Sequence, residues 1–259
     1  MERTFLLVLE FDGTGFCGWQ RQAEGRSVQA VVEQALGRLA GRPTRVIGAG
    51  RTDAGVHALA MPVSATMPAR WAPTELLRAA NSVLPRDVAV REIREVVPGT
   101  DARRAALSRR YRFDIGTDGT SRSPFRSRTE WAVGRTLDAE AMMRSAALLP
   151  GEHDFRAFAI VGEPKPHYRC RVLEACWTPL DVARLRFTIA ADRFLHHMVR
   201  MLVGTMVDIG LGRRPESDMA RLLTLPHNTE TSAPAPAAGL RFVEATYPDS
   251  IFLSERASW

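Results

Sequence analysis

The order of predicted elements in the first hundred residues restricts the fold more than any other feature. Alternating apolar residues predict strands at 5–11 and 88–96, and helical spacing of apolar residues follows the N-cap Ser27. The other elements predicted in this part of the chain are a strand near 45–49, a strand near 61–67 and a helix from Thr74 to about Ser82. The order strand, helix, strand, strand, helix, strand is typical of a split βαβ unit.

The second half of the chain repeats this alternation without a strict sequence repeat. Residues 110–115 read as a strand with Tyr111, Phe113 and Ile115 on one face. Further predicted elements are helices at 137–149, 194–209 and 215–225, a hairpin at 172–177 and 184–190, and a final strand at 240–247. We therefore expect an α+β protein with an N-terminal lobe at 1–105 and a C-terminal lobe at 106–259.

Composition excludes several classes of protein. Apolar residues make up 45% and charged residues 25% of 259 residues, as in soluble globular chains. No apolar run approaches the ~18 residues of a membrane-spanning helix, so we expect a cytoplasmic protein without a membrane partner. The three cysteines form no CxxC pair, and adjacent His196 and His197 cannot act as an i, i+4 ligand pair. These patterns argue against a disulfide scaffold and a metal site.

The positive charge is concentrated in one window. The net charge is +6, and residues 103–135 contain nine arginines against three acids. A biased genome is one explanation for the arginine content, since Lys165 is the only lysine. The clustering favours a polyanion as partner, because arginine binds phosphate with two donors and stacks on bases. Nucleic acid is the first partner to consider.

The glycine-rich stretch at 48–57, GAGRTDAGVH, is the strongest local signal. Its spacing fails the Walker pattern, because Val56 and His57 stand where Lys and Ser/Thr are required, and Asp53 breaks the dinucleotide pattern. Asp53 is either a turn residue that caps a backbone N–H or a carboxylate presented to a substrate. An ionised carboxylate can attack a sugar carbon, which is the chemistry of glycosidic bonds. Arg51 could hold Asp53 in its ionised form.

Several segments together resemble the tRNA pseudouridine synthase A family. The decapeptide at 48–57 resembles the active-site motif of that family, and the matches span residues 5–247 in order. The other matching segments are FDGTGFCGWQ at 11–20, NSVLPRDV at 81–88, RYRF at 110–113, GEHDFRAF at 151–158, FLHHMVR at 194–200 and PAAGL at 236–240. Phe11 and Ala80 depart from the family pattern, and both departures are conservative.

This resemblance implies the pseudouridine synthase fold, in which two RRM-like (ferredoxin-like) lobes share a central, mostly antiparallel sheet with flanking helices. It implies conversion of uridines at tRNA positions 38, 39 and 40, in the anticodon stem-loop, by a homodimer without cofactor or metal. Asp53 matches the nucleophile, and Tyr111 matches the tyrosine that packs on the target base and assists proton removal. Arg51 matches the arginine of base flipping and phosphate binding, and Arg200 the partner of the aspartate.

Residue-level reasoning leaves alternatives beside these roles. Tyr111 could be a core tyrosine of a half-buried strand. Arg200 lies in an apolar helix, where an unpaired charge is costly, so we expect a carboxylate partner: Asp53, or Asp208 in an ordinary structural pair. The basic window, including Arg110 and Arg112, is expected to line the approach for RNA. The expected cleft has Asp53 on one wall and Tyr111 on the other, with Arg200 beneath.

Two other classes of protein compete with this interpretation. One is a non-catalytic RNA-binding protein of RRM-like units, but the RNP1 pattern is absent and such a protein does not need the GAGRTDAG stretch. The other is a metabolic enzyme that binds nucleotides or phosphate through the glycine-rich loop. The missing Lys-Ser/Thr argues against it.

Overall fold

A computed structural model of the chain describes residues 1–160 and 167–253, and the contacts of the chain divide it into two compact units. The first unit combines Met1–Arg109 with the residues from Phe242 onward, and the second is Arg110–Arg241. Most of the last strand therefore falls in the first unit, where the carbonyl of Thr246 accepts the N–H of Leu107 at 2.8 Å. The division of the chain into two continuous lobes, at 1–105 and 106–259, stays a prediction.

The first unit contains the predicted split βαβ order, followed by the strand that returns to it. Its elements are β1 (Glu2–Phe11), α1 (Val28–Ala40), β2 (Val46–Gly48), β3 (His57–Pro68), α2 (Pro73–Val83), β4 (Val88–Val96) and most of β10 (Leu240–Thr246). The strands lie in the order β4-β1-β3-β10, and β2 pairs with β3. β1 is antiparallel to both of its neighbours, and its residues Phe5, Leu7 and Leu9 are fully buried.

Local signals set the helix ends of this unit. The Ser27 side chain accepts the N–H of Ala30, and Gly41 ends α1 in the left-handed region at φ 72°. The predicted helix start at Thr74 is one residue late, because α2 begins with Pro73 at its first position. Glu75 instead accepts the N–H of Ala72 at 3.3 Å.

The second unit has the same mixture of strands and helices. Its elements are β5 (Ser108–Gly116, from Arg110 onward), β6 (Trp131–Ala132), α3 (Ala139–Ala146), β7 (Gly151–Asp154), β8 (Arg169–Asp181), β9 (Arg184–Ala191), α4 (Met198–Gly210) and α5 (Asp218–Leu222). The strands lie in the order β5-β9-β8-β7, and the short β6 pairs with β5 in parallel. The chain is thus a mixed α+β protein whose strands pair mostly antiparallel, as predicted.

Helix α4 is shorter than the sequence pattern predicts. Its apolar spacing begins at Phe194, but His197 has a positive φ of 62°, so the helix begins at Met198. Nearly all of its side chains are buried. No helix among the described residues has both the length and the apolar character that crossing a membrane requires.

Gly204 allows α4 to pack directly on a backbone segment of the same unit. A Cβ atom at this position would lie 2.2 Å from the carbonyl oxygen of Ala233. We expect Gly204→Ala to lower the free energy of unfolding by about 1–3 kcal/mol, because the helix or the segment must shift. Gly119→Ala is the control, since a Cβ there meets nothing within 4 Å. Equal urea midpoints for the two variants would contradict this prediction.

Candidate active site

The loop that joins β2 to β3 presents Asp53. Gly48 ends β2 and His57 begins β3, so the loop consists of the residues between them. Asp53 is half-buried and Arg51 is exposed. The N–H of Val56 donates to the carbonyl of Asp53 at 3.2 Å, and Gly55 adopts a φ of +79°, which closes the turn around the carboxylate. This geometry gives Asp53 a fixed backbone and leaves the residue partly accessible to solvent.

A second segment, residues 12–19, clamps this loop through backbone contacts. The N–H of Trp19 donates to the carbonyl of Thr52 at 3.0 Å, and the N–H of Gly55 donates to the carbonyl of Phe16 at 3.3 Å. A Cβ on Gly18 would lie 2.7 Å from the Thr52 oxygen. Gly18 of the FDGTGFCGWQ segment is therefore required for close approach to the Asp53 loop. Sequence reasoning quoted this segment without assigning it that role.

Side-chain and backbone contacts at the start of β3 also join segment 12–19 to the Asp53 loop, and they involve Asp12, Gly13 and His57. The N–H of Gly13 donates to His57 Nδ1 at 3.2 Å. The Nδ1 atom of His57 also lies 3.2 Å from Asp12 Oδ1. His57 is buried. A Cβ on Gly13 would lie 2.0 Å from the Val56 oxygen, so only glycine fits. These contacts fix the C-terminal end of the loop, and the glycines around Asp12 were the sequence signal that could have revealed them.

Trp19 packs against Gly48, the last residue of β2 before the loop. It is buried, and its ring lies where a Cβ on Gly48 would be 2.6 Å away. Arg51 is the charged group nearest to Asp53 in sequence. Partial burial, together with the positive charge of Arg103, lowers the pKa of Arg51. Arginine starts from so high a pKa that it stays protonated at neutral pH.

Tyr111 lies in the second unit, on β5. It is buried and packs edge-to-face on Phe194, with ring centroids 5.0 Å apart. Phe113 and Ile115 are buried on the same face of the strand, as predicted. An aromatic pair of this geometry fixes the orientation of the Tyr111 ring.

Arg200 lies in the first turn of α4 and is half-buried. Its Nε donates to the carbonyl of Ala235 at 2.7 Å, and its own carbonyl accepts the N–H of Ala235 at 2.9 Å. Asp208, one of the two carboxylates considered as its partner, lies instead 3.0 Å from Arg213. The pairing of Arg200 with Asp53 stays a prediction.

Arg110 and Arg112 lie on the face of β5 opposite to Tyr111. The Arg110 guanidinium forms an ion pair with Glu174, which gives it a structural partner inside the second unit. Arg112 is half-buried. Their contact with RNA stays a prediction, and the ion pair makes Arg110 the weaker candidate.

Comparison with known proteins identifies the family. The family model described as "tRNA pseudouridine synthase" matches residues 7–98 and 145–248. A protein named tRNA pseudouridine synthase A from Myxococcus xanthus is 39% identical, over 94% of this chain and 91% of its own length. Proteins of the same name from Methylobacterium sp. (strain 4-46) and Thermus thermophilus are each 41% identical, over 95% of this chain and 98% of their own lengths. Since the similarity spans almost the whole chain, the protein belongs to the tRNA pseudouridine synthase A family of isomerases.

Proposed function

We propose that the protein isomerises uridines at positions 38, 39 and 40 of the tRNA anticodon stem-loop to pseudouridine, with Asp53 as the nucleophile. The observation that carries this proposal is the loop geometry. A half-buried carboxylate projects from a backbone that is hydrogen-bonded to a second segment on one side and closed by its own turn. Such preorganisation holds a nucleophile close to its reactive geometry before substrate binds.

The reaction conserves all atoms and electrons of the nucleotide. The bond between C1′ and N1 breaks, the uracil turns, and a new bond forms between C1′ and C5. The proton leaves C5 and N1 ends protonated, so no electron carrier is consumed and we propose that no cofactor or metal takes part. An ionised Asp53 supplies the electron pair of the covalent step.

The other site residues act on the base and the backbone. A uridine in a stem must leave the stack, which costs a few kcal/mol, and stacking on an aromatic ring offsets about 1–3 kcal/mol. We propose Arg51 for the vacated space or the phosphate, and Tyr111 for packing on the base and assisting proton removal. Arg200 pairs with Asp53 in this proposal, while Arg110 and Arg112 bind RNA. A cytoplasmic homodimer is the proposed form of the enzyme.

The test is pseudouridine mapping on unmodified tRNA transcripts incubated with the protein. We expect product at positions 38, 39 and 40 in those transcripts that carry uridine there. Product confined to uridines outside the anticodon arm would keep the chemistry and overturn the substrate assignment. A protein that binds the transcripts tightly but forms no product would be an RNA-binding protein instead.

A further inference from the structure

Residues 101–106, which we call the arginine turn, have a rigid backbone that presents Arg103 and Arg104. The carboxylate of Asp101 accepts the N–H groups of Arg103 at 2.8 Å and Arg104 at 3.0 Å. The N–H of Ala105 donates to the carbonyl of Asp101 at 2.9 Å. Both arginine side chains are exposed. The turn therefore has a defined shape although its charged groups face solvent.

The same turn is fastened to the body of the first unit at Ala102. This residue is fully buried, its N–H donates to the hydroxyl of Ser64 at 3.1 Å, and its carbonyl accepts the hydroxyl of Tyr247 at 2.7 Å. Because Ser64 of β3 and Tyr247, the residue that follows β10, both hold Ala102, the position of Arg103 is not that of a free loop.

Arg109 ties the arginine turn directly to the Asp53 loop. Its Nε donates to the carbonyl of Ala49 at 3.0 Å and its Nη1 to the carbonyl of Ala106 at 3.0 Å. A further donor of the same guanidinium binds the carbonyl of Arg103. One planar group thus fixes the distance between the turn and the loop that carries Arg51, two residues beyond Ala49.

These contacts hold the arginine turn against the loop that carries Arg51 and Asp53, and the positive charge of Arg103 lowers the pKa of Arg51. Within residues 1–160 and 167–253 the structure gives neither Arg51 nor Arg103 an ion-pair partner. The carboxylate of Asp101 is engaged by backbone N–H groups and lies 4.0 Å from Arg104. Two like charges held together by a rigid backbone repel, and a bound anion relieves that repulsion.

We propose that Arg103, together with Arg51, binds one phosphodiester of the RNA backbone next to the uridine that reacts at Asp53. The inference rests on the proposed function and adds a binding residue to it. The two guanidiniums donate to the non-bridging oxygens of one phosphate, which positions the nucleotide without reading its base. Arg109 is a positioning residue, because it touches the backbone of the turn and of the loop.

Arg103→Ala and Arg104→Ala form a matched pair of variants. They remove neighbouring exposed arginines from the same turn, so both should melt at the wild-type temperature. We expect Arg103→Ala to weaken the Kd for an unmodified tRNA transcript about 10-fold and Arg104→Ala to change it less than about 2-fold. The slope of log K against log salt should fall by about 0.7–0.9 in Arg103→Ala, the value for one phosphate contact. Equal effects of the two variants would overturn the proposal.

A synthetic anticodon stem-loop with single neutral methylphosphonate linkages identifies the phosphate. In the wild-type protein, one linkage adjacent to the target uridine should weaken binding about 10-fold when neutralised. In Arg103→Ala, neutralising that linkage should not weaken binding further. Neutralising any other linkage should weaken binding as much as it does in the wild type. Additive losses at every linkage would refute a direct contact. Pseudouridine formation by the wild type is measured separately. Failure of the proposed function is therefore distinguishable from the absence of a contact between Arg103 and the phosphate.

Discussion

Asp53→Asn should lower the rate of pseudouridine formation by at least about 10³-fold while tRNA binding stays within about 2-fold of wild type. The amide has nearly the shape of the carboxylate, but its neutral oxygen is a much weaker nucleophile than an ionised carboxylate. The surrounding backbone contacts, from Trp19 to Thr52 and from Gly55 to Phe16, do not involve this side chain, so the loop should keep its structure. Single-turnover product formation and a filter-binding Kd measure the two quantities.

Asp208→Asn is the matched control for this variant. Asp208 forms an ion pair with Arg213 and was the alternative partner of Arg200 in the sequence analysis. Its replacement should leave product formation unchanged. If Asp53→Asn kept more than about a tenth of the wild-type rate, which is far above the loss expected for a nucleophile, Asp53 would be a structural turn residue. A loss of both rate and binding would show instead that the amide disturbs the loop.

Asp114→Ala should lower the free energy of unfolding by about 3–5 kcal/mol. Asp114 is buried on β5 and accepts three hydrogen bonds, from Arg186 Nε at 2.7 Å, Arg186 Nη2 at 2.9 Å and Arg241 Nη1 at 2.7 Å. Removing the carboxylate leaves two arginine side chains, themselves mostly buried, without the charge that compensates them. Chemical unfolding in urea, monitored by tryptophan fluorescence, measures this loss.

The same triad gives stability a pH dependence. Burial opposes ionisation of Asp114, but the hydrogen bonds and charges of Arg186 and Arg241 outweigh it and hold the pKa of this carboxyl below its ordinary value. A depressed pKa contributes stability above about pH 4, the unfolded value, and that stability is lost as pH falls through the folded value. The difference in stability between wild type and Asp114→Ala should therefore narrow on acidification below about pH 4.

An exposed ion pair supplies the control for Asp114. Asp181 at the end of β8 and Arg184 at the start of β9 are partners at 2.7 Å, and both side chains are about 40% exposed. Arg184→Ala should cost no more than about 1 kcal/mol, because water screens the pair. The Asp181 carboxylate keeps its hydrogen bond from the N–H of Ala183 in this variant. If Asp114→Ala lowered the free energy of unfolding by no more than Arg184→Ala does, Arg186 and Arg241 would have found other partners or reached solvent.

Much of the fold could be predicted from hydrophobic periodicity, because it reports which face of an element is buried. Strand β4 has the predicted bounds, and α1 begins after the predicted cap Ser27. The pattern failed at the start of α4, where apolar residues continue through Phe194 although His197 leaves the helical region. Periodicity records burial and cannot detect a single residue that breaks a helix.

The sequence by itself determined the family and the candidate nucleophile, since GAGRTDAGVH carries both in ten consecutive residues. Only the tertiary structure decided how the Asp53 loop is held, and by which groups. Gly13 and Gly18 approach its backbone, and Arg109 joins it to the arginine turn. Asp114, inside the basic window at 103–135, pairs with Arg186 and Arg241 from outside that window. These contacts join residues far apart in the chain, and many of them use backbone atoms. Because every residue type offers a backbone carbonyl and nearly every type an N–H, side-chain patterns cannot reveal such partners.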